Sequence, residues 1–536
     1  MYMKKAVSTV MALLLAVCAF SLTGCQKQQS KPNSDYADAI NIHLSDETIM
    51  VNGEAISADE TQAVYASHDI VYYEAGHDFT YGEGTKNDEH TKEEADAHTV
   101  INITKPGLYA VTGKISAGQL AIDLGEEAET DPEAVVDLIL NGADITCTVA
   151  PAVIFYNVYE CGEKDEDTAS ANVDTSKAGA NIIIADNTVN NINGSYVARI
   201  YKSYTLNEEG TEIVDSKKLH KYDGAFYSRM SVNINSGAED SGILNINAEN
   251  EGLDSEMHLT IYGGTINIVS GNDGINTNED NISVTTINGG NLNITVDGST
   301  GEGDGIDSNG WLVINGGSVT AWACGSSADS GIDSDKGIHI NGGSVYASGN
   351  MLDRIEDGGI NFAVFSFNSR QEGGNTYSIR NEKDKILFSC KPLNDFTSLI
   401  IANETLEEGS YTFWQGDIQL AASAGGFGGM GGGMMKPGGM NFPEDFSIPE
   451  GMMPPEGAEF PQGNFPEDFS IPDGMERPDR QPPEGMSPPE MPEGEFKPDK
   501  MQGGKQPAGG MPAGEISTEI KINKGANYFS NVTPAE

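Results

Sequence analysis

The sequence predicts an all-β fold built as a parallel β-helix, a solenoid of short stacked coils. Three observations carry that expectation. First, Gly252-Leu253-Asp254-Ser255, Gly274-Ile275-Asn276-Thr277, Gly305-Ile306-Asp307-Ser308 and Gly331-Ile332-Asp333-Ser334 align with one another. Second, each step leads through an alternating run to a Gly-Gly pair, at Gly263, Gly289, Gly316 and Gly342, spaced 26, 27 and 26 residues apart. A second alternating run follows each pair: Ile266/Ile268, Leu292/Ile294, Val319/Ala321 and Val345/Ala347. Gly-Gly between period-2 runs is a turn signal, and strands this short bury a face only when stacked on copies of themselves. Third, few runs place apolar residues at i, i+3, i+4 and i+7, so helices find no support.

Taken from the N-terminus, residues 1–24 read as a secretory signal peptide. Lys4-Lys5 precede an apolar run from Ala6 to Leu22 that is short for a membrane span. The run ends in Leu22-Thr23-Gly24-Cys25, which resembles a bacterial lipobox. That resemblance implies cleavage before Cys25 and its lipidation, with anchoring to the cell membrane on the extracytoplasmic face through lipid alone. Residues 25–37 are then the lipidated Cys and a polar tether. Of the other cysteines, Cys147, Cys161, Cys324 and Cys390 lie in the mature chain, none at C-x-x-C spacing, so a zinc site is disfavoured. An exported setting permits a disulfide, and Cys147 and Cys161 are the nearest pair.

The solenoid is expected over 38–423. The stretch 99–122 is its β-rich opening, with Gly107 and Gly113 at turns. Less regular strands are predicted at 136–142, 181–184 and 224–228. Residues 424–514 hold 17 of the 23 Pro and 11 of the 18 Met, and repeat an Asn-Phe-Pro-Glu-Asp-Phe-Ser-Ile-Pro segment, once from Asn441 and again from Asn464. Such composition predicts a disordered, low-complexity insertion, whose protein partner the sequence does not name. Residues 516–522 alternate again, so 515–536 is expected to return as a closing strand near Tyr411-Thr412-Phe413-Trp414.

Charge bounds the function. Across 536 residues, 81 Asp+Glu face 31 Lys+Arg, a formal net charge of −50. Phosphate binding needs a basic surface, so nucleic acid is excluded as a partner. Part of the excess recurs once per repeat: Asp254, Asn276, Asp307 and Asp333 follow the core Ile or Leu, with Asp273, Asp304, Asp329 and Asp335 around them. Strand alternation turns these side chains outward, and stacking places equivalents about 4.8 Å apart. Such carboxylates repel one another unless a cation intervenes, and calcium takes six to eight oxygen ligands. The alternatives are a calcium ladder along one edge or a solvated acidic edge whose Asp and Asn satisfy turns. Asn288, Asn315 and Asn341, just before three Gly-Gly turns, are expected to stack as a structural column.

Sugar binding uses aromatic faces. Two of the three Trp, Trp311 and Trp322, lie in one repeat and Tyr346 in the next, a candidate carbohydrate platform whose alternative is core filling. Catalysis has little support. Lys336, Arg354 and Arg229 are isolated basic residues rather than an assembled lyase base, and no nucleophile elbow, Walker loop or H-E-x-x-H appears.

Together, Ile42-His43-Leu44-Ser45-Asp46, Pro106-Gly107-Leu108-Tyr109, Leu140-Asn141-Gly142-Ala143-Asp144-Ile145 and the repeated Asp/Glu-Gly-Ile-Asp/Asn-Ser/Thr steps resemble the clostridial cellulose-binding β-helix proteins, a carbohydrate-binding domain-containing family. The resemblance covers roughly 38–420. Asp223-Gly224-Ala225 fits the first step, while Glu251-Gly252-Leu253 and Ser330-Gly331 depart from the pattern. The resemblance implies a right-handed parallel β-helix, distantly similar to pectate lyases, that binds calcium and plant cell-wall polysaccharide. The expectation is therefore a lipid-anchored binder of polysaccharide, cellulose or an acidic plant type, without catalysis. A calcium-dependent lyase and a wall-associated adhesion spacer are the alternatives.

Overall fold

A computed structural model describes residues 36, 38–162, 164–425 and 515–535. The expected signal peptide, Cys25 and the low-complexity tract at 426–514 lie outside the described residues. The described chain is nearly all β, with one five-residue α-helix, Lys92–Asp96, and a short 3-10 turn. That helix exists because Thr91 and Glu94 form a reciprocal capping box, a local signal outweighed in the sequence by the surrounding strand pattern.

Most strands fall into three parallel ladders. In the first, Gly107–Ile115, Val136–Cys147, Ala180–Ile184, Val232–Ser236, Leu259–Ile261, Val284–Ile287, Trp311–Ile314 and Gly337–Ile340 pair in succession. The second runs through Val189–Gly194, Ile243–Ala248, Thr265–Ser270, Asn291–Val296, Ser318–Trp322 and Ser344–Gly349. The third runs from Thr99–Ile103 through Gly118–Asp123, Val153–Asn157, Gly224–Ser228 and Glu251–Ser255 to Ile275–Thr277 and Ile306–Ser308. The chain visits the ladders in a fixed cycle, one strand in each per repeat, until the last repeat, which adds strands to the first two only.

Register explains why the pattern works. Leu138, Ile182, Ile234, Ile261, Ile287, Ile314 and Ile340 stand opposite one another in the first ladder, and none is more than 1% exposed. Burying one such side chain contributes about 1.5–3 kcal/mol, so the stack is a continuous apolar spine that no single repeat could supply. The Gly-Gly turns are equally literal: Gly264, Gly290, Gly317 and Gly343 have φ between 73° and 88°, a left-handed conformation open to Gly. Asn288, Asn315 and Asn341 stack beside these turns, the Asn315 amide donating to Asn288 Oδ1 and the Asn341 amide to Asn315 Oδ1, both at 2.9 Å. A second column, Asn191–Asn245–Asn267–Asn293, repeats this geometry at 2.9 Å and was not foreseen.

Two details differ from expectation. Gly113 sits at a bulge inside a strand, where the register shifts between Val111 and Gly113, rather than at a turn. Parallel stacking also stops at Gly337–Ile340 and Ser344–Gly349. Beyond it, Phe362–Gln371, Tyr377–Asn381, Ile386–Cys390, Phe396–Asn403, Gly409–Gln415 and Ile418–Gly425 pair largely antiparallel around a core of their own. Here the Gly-Ile-Asp step and the regular Gly-Gly interval have ended, and longer strands follow. Glu519–Ile522 pairs antiparallel with Gly409–Gln415, Ile520 opposite Tyr411, which is where the closing strand was expected. Cys147, Cys161, Cys324 and Cys390 are all free thiols, so no disulfide joins Cys147 to Cys161.

Candidate functional site

The repeated Gly-Ile-Asp steps build an acidic strip along the third ladder. Asp254, Asn276 and Asp307 stand in register on adjacent parallel strands, with Tyr227 opposite Asp254 on the preceding one. Asp333 continues the column: its backbone N–H donates to Ile306 O, and Asp304, Asp307 and Asp333 each present an oxygen within 4.8 Å of the other two. The Asp273 carboxylate accepts from Asp304 N–H at 2.6 Å, so it joins the same strip one repeat earlier.

The other predicted ligands stand apart. Asp329 is spent locally, accepting from Gly303 N–H at 2.7 Å and from the Ser327 hydroxyl. Asp335 is exposed and lies outside the three-carboxylate cluster, although its charge reaches Asp307. Two residues not assigned as ligands join the strip. Asp353 accepts from Ser334 N–H at 3.2 Å and interacts with Asp333. Glu251 accepts from the Asn276 amide at 3.2 Å. Glu251 stands where the next two repeats carry Asp273 and Asp304, a signal visible in the step itself; Asp353 follows the last step and carried none.

The strip is less solvated than strand alternation implied. Asp254 is fully buried and Asn276 only 8% exposed, because Tyr227 and Asn276 flank Asp254 and Asn278 donates to its Oδ1 at 2.6 Å. Asp304, Asp307 and Asp333 are half-buried. Burial is the first cause that pushes these carboxyls up, and neighbouring carboxylates are the next. Asp273 and Asp333 are raised to about 7, and Asp254, Glu251, Asp304 and Asp307 are raised well above the ordinary carboxylate range. Arg199 offsets little of this, pairing with Asp223 at 3.1 Å.

Three oxygens here lack a hydrogen-bond partner among the described residues although their groups are buried: Glu251 Oε2, Asp254 Oδ2 and Asn276 Oδ1. An orphaned buried oxygen costs about 1–3 kcal/mol, more when charged, so three on one strip mark a place suited to a cation. The donors are all hard oxygens. Ligands at about 2.3–2.6 Å on one calcium ion lie at most about 5 Å apart, which the Asp304–Asp307–Asp333 cluster satisfies. That cluster can therefore hold a hard divalent cation, and Glu251, Asp254 and Asn276 offer unmatched hard oxygen donors on the same strip.

The expected aromatic platform does not form. Trp322 is 4% exposed and lies in the second core, beneath the antiparallel strands that follow the ladders; Tyr346 packs against that core. In register Trp322 faces Ser348 and Tyr346 faces Thr320, while Trp311 is half-buried in a different ladder between Val284 and Gly337. Alternation from Ala321 turns Trp322 away from the apolar stack of the ladders, and core filling is the alternative it meets. It could not show that Phe396–Asn403 would pair with Ser344–Gly349 and help cover it.

Comparison with known proteins bears on the same segment. No curated protein matches the chain. One solved structure, described as "Structure of the polysaccharide lyase-like protein from C. thermocellum, Gadolinium derivative", is 19% identical, with a TM-score of 0.33 over 57% of this chain and 90% of that one. Residues 97–361, which contain the whole acidic strip, match the family model described as "Carbohydrate-binding domain-containing protein". Over residues 97–361 the chain is thus similar to the carbohydrate-binding domain-containing protein family.

Proposed function

We propose that this chain binds polysaccharide, cellulose or an acidic plant cell-wall type, through a calcium-stabilised right-handed parallel β-helix and without catalysis. The three ladders, revisited in a fixed cycle, support the β-helix reading, and parallel crossovers within one sheet are right-handed in about 98% of cases. The observation that carries the calcium reading is the buried strip whose Glu251, Asp254 and Asn276 oxygens are unmatched. Glu251, Asp254 and Asn276 would hold one ion and Asp304, Asp307 and Asp333 another, with Asp273 and Asp353 adjacent. A bound calcium ion supplies the positive charge that the strip lacks.

The family match supports carbohydrate as the ligand. A non-catalytic role is supported by where the basic residues sit: Arg229 donates to Asn157 and Glu129, each at 2.7 Å, and Arg354 pairs with Glu356. Lys336 is exposed. The expected result is retention on insoluble cellulose or polygalacturonate in calcium, with no rise in unsaturated-uronide absorbance on soluble polygalacturonate. An absorbance rise would replace the binder with a lyase; no retention on any polysaccharide would leave the spacer reading.

The lipobox-like Leu22-Thr23-Gly24-Cys25 supports a lipid anchor on the extracytoplasmic face. Labelling with radioactive palmitate is expected to mark the parent and to be lost in Cys25→Ser. Equal labelling of both would remove Cys25 as the anchor.

A further inference from the structure

With the expected platform dispersed over two ladders and its Trp322 buried, the polysaccharide-binding reading lacks a place where a sugar ring sits. A cleft of about 600 Å³ beside the acidic strip offers one. One wall is a run of tyrosine rings: Tyr156 meets Tyr222 at 5.7 Å and 75°, and Tyr222 meets Tyr227 at 5.1 Å and 64°. His220 lies flat on Tyr222 at 4.5 Å and 15°, extending the aromatic surface. Tyr227 also donates to Glu256 at 3.0 Å and faces Asp254 in register, so this wall is continuous with the strip.

His220 is the unusual residue. It is 7% exposed, and neither ring nitrogen has a hydrogen-bond partner among the described residues. Burial, and then the Arg199 charge, lower it to about 4, so the ring is neutral near pH 7. A neutral imidazole offers one donor and one acceptor, the pair that a sugar hydroxyl can satisfy. Leaving both unmet in a buried place is unfavourable, and a bound hydroxyl would relieve it.

The cleft also gathers cations in a chain that is otherwise strongly acidic. Three are committed: Arg229 to Asn157 and Glu129, Lys164 to Glu129 and Lys218 to Glu83. The Lys221 ammonium has no hydrogen bond or ion pair among the described residues, and its charge reaches Asp254 and Glu256 only at a distance. An ammonium placed this way suits the carboxylate of a uronic acid, while tyrosine faces suit the apolar side of its ring.

We propose that this cleft is a saccharide subsite for a uronate-bearing oligosaccharide, with the half-buried Tyr156 and Tyr222 rings as the platform, His220 meeting a hydroxyl and Lys221 meeting the carboxylate. The assignment rests on the polysaccharide-binding reading and gives it a location that the Trp311, Trp322 and Tyr346 positions do not.

The test is calorimetric titration of the full chain, in calcium, with trigalacturonate and with cellotriose. The parent is expected to bind trigalacturonate more tightly than cellotriose. Lys221→Met should weaken trigalacturonate at least tenfold and leave cellotriose unchanged. His220→Phe, which keeps the stacking and removes both nitrogens, should weaken both several-fold. Melting midpoints equal to the parent's confirm that each variant is folded. Parent-like titrations by both folded variants would overturn the subsite while leaving retention on insoluble polysaccharide intact. A parent that binds no polysaccharide at all would overturn both readings, which keeps the two failures distinct.

Discussion

Adding calcium to the chelator-treated protein at pH 8 is expected to raise its melting midpoint by about 5 °C or more, and by clearly less at pH 5.5. A ligand at a hundred times its dissociation constant stabilises the folded state by about 2.7 kcal/mol, and each kcal/mol moves the midpoint of a mid-sized domain by about 2–4 °C. The pH dependence follows from the raised carboxyls. Asp273 and Asp333 sit at about 7 when folded, against an ordinary 3.8. Between those values the folded chain holds protons that the unfolded chain has released, so without a cation stability falls as pH rises through that window. Calcium needs the deprotonated strip, and its contribution therefore grows over the same range. Asp307→Asn sharpens the test. With chelator at pH 8 it should melt above the parent, because one buried like charge is gone. In calcium it should gain less than the parent does. A solvated acidic edge would instead give equal midpoints with and without calcium at both pH values.

Gly305→Ala is expected to destabilise the protein by about 3 kcal/mol and to lower the midpoint by about 5 °C or more. A Cβ at Gly305 would stand 2.3 Å from Gly331 O and 2.9 Å from Ala321 Cβ, far inside ordinary contact. The same clash repeats down the stack: a Cβ at Gly252 would meet Gly274 O at 2.5 Å, and one at Gly274 would meet Gly305 O at 2.6 Å. The obstacle is backbone, and it cannot yield cheaply, since Gly331 O accepts from Ile306 N–H and Ser330 O from Gly305 N–H. Gly409→Ala is the control, because its nearest neighbours lie at 3.5 Å or more. Equal midpoints for Gly305→Ala and the parent would mean that successive repeats are not packed this closely.

That glycine shows what sequence can convey. The Gly of the first three steps recurs because the carbonyl of the next step's Gly occupies the space of its side chain, so the spacing of the repeat reports stacking directly. The Gly-Gly interval and the Asn288–Asn315–Asn341 column were legible for the same reason: a requirement imposed once per coil appears once per repeat. Asp307 and Asp333 were legible as a column, and Asp304 as their neighbour. What lay outside the repeat was hidden. Asp353 follows the last step, and Trp322 is covered by strands more than 70 residues further on. Alternation tells which way a side chain points from its own strand and says nothing of what later packs over it. The cleft illustrates the same limit, since Tyr156, His220, Lys221 and Tyr227 come from segments with no shared motif and meet only in the fold.

The most direct test of the whole account is a retention assay on insoluble polygalacturonate and cellulose, run in calcium and then in chelator. Retention in calcium on at least one polymer, released by chelator and restored by fresh calcium, is the predicted result. Retention that chelator leaves untouched, or none in calcium on either polymer, would contradict it.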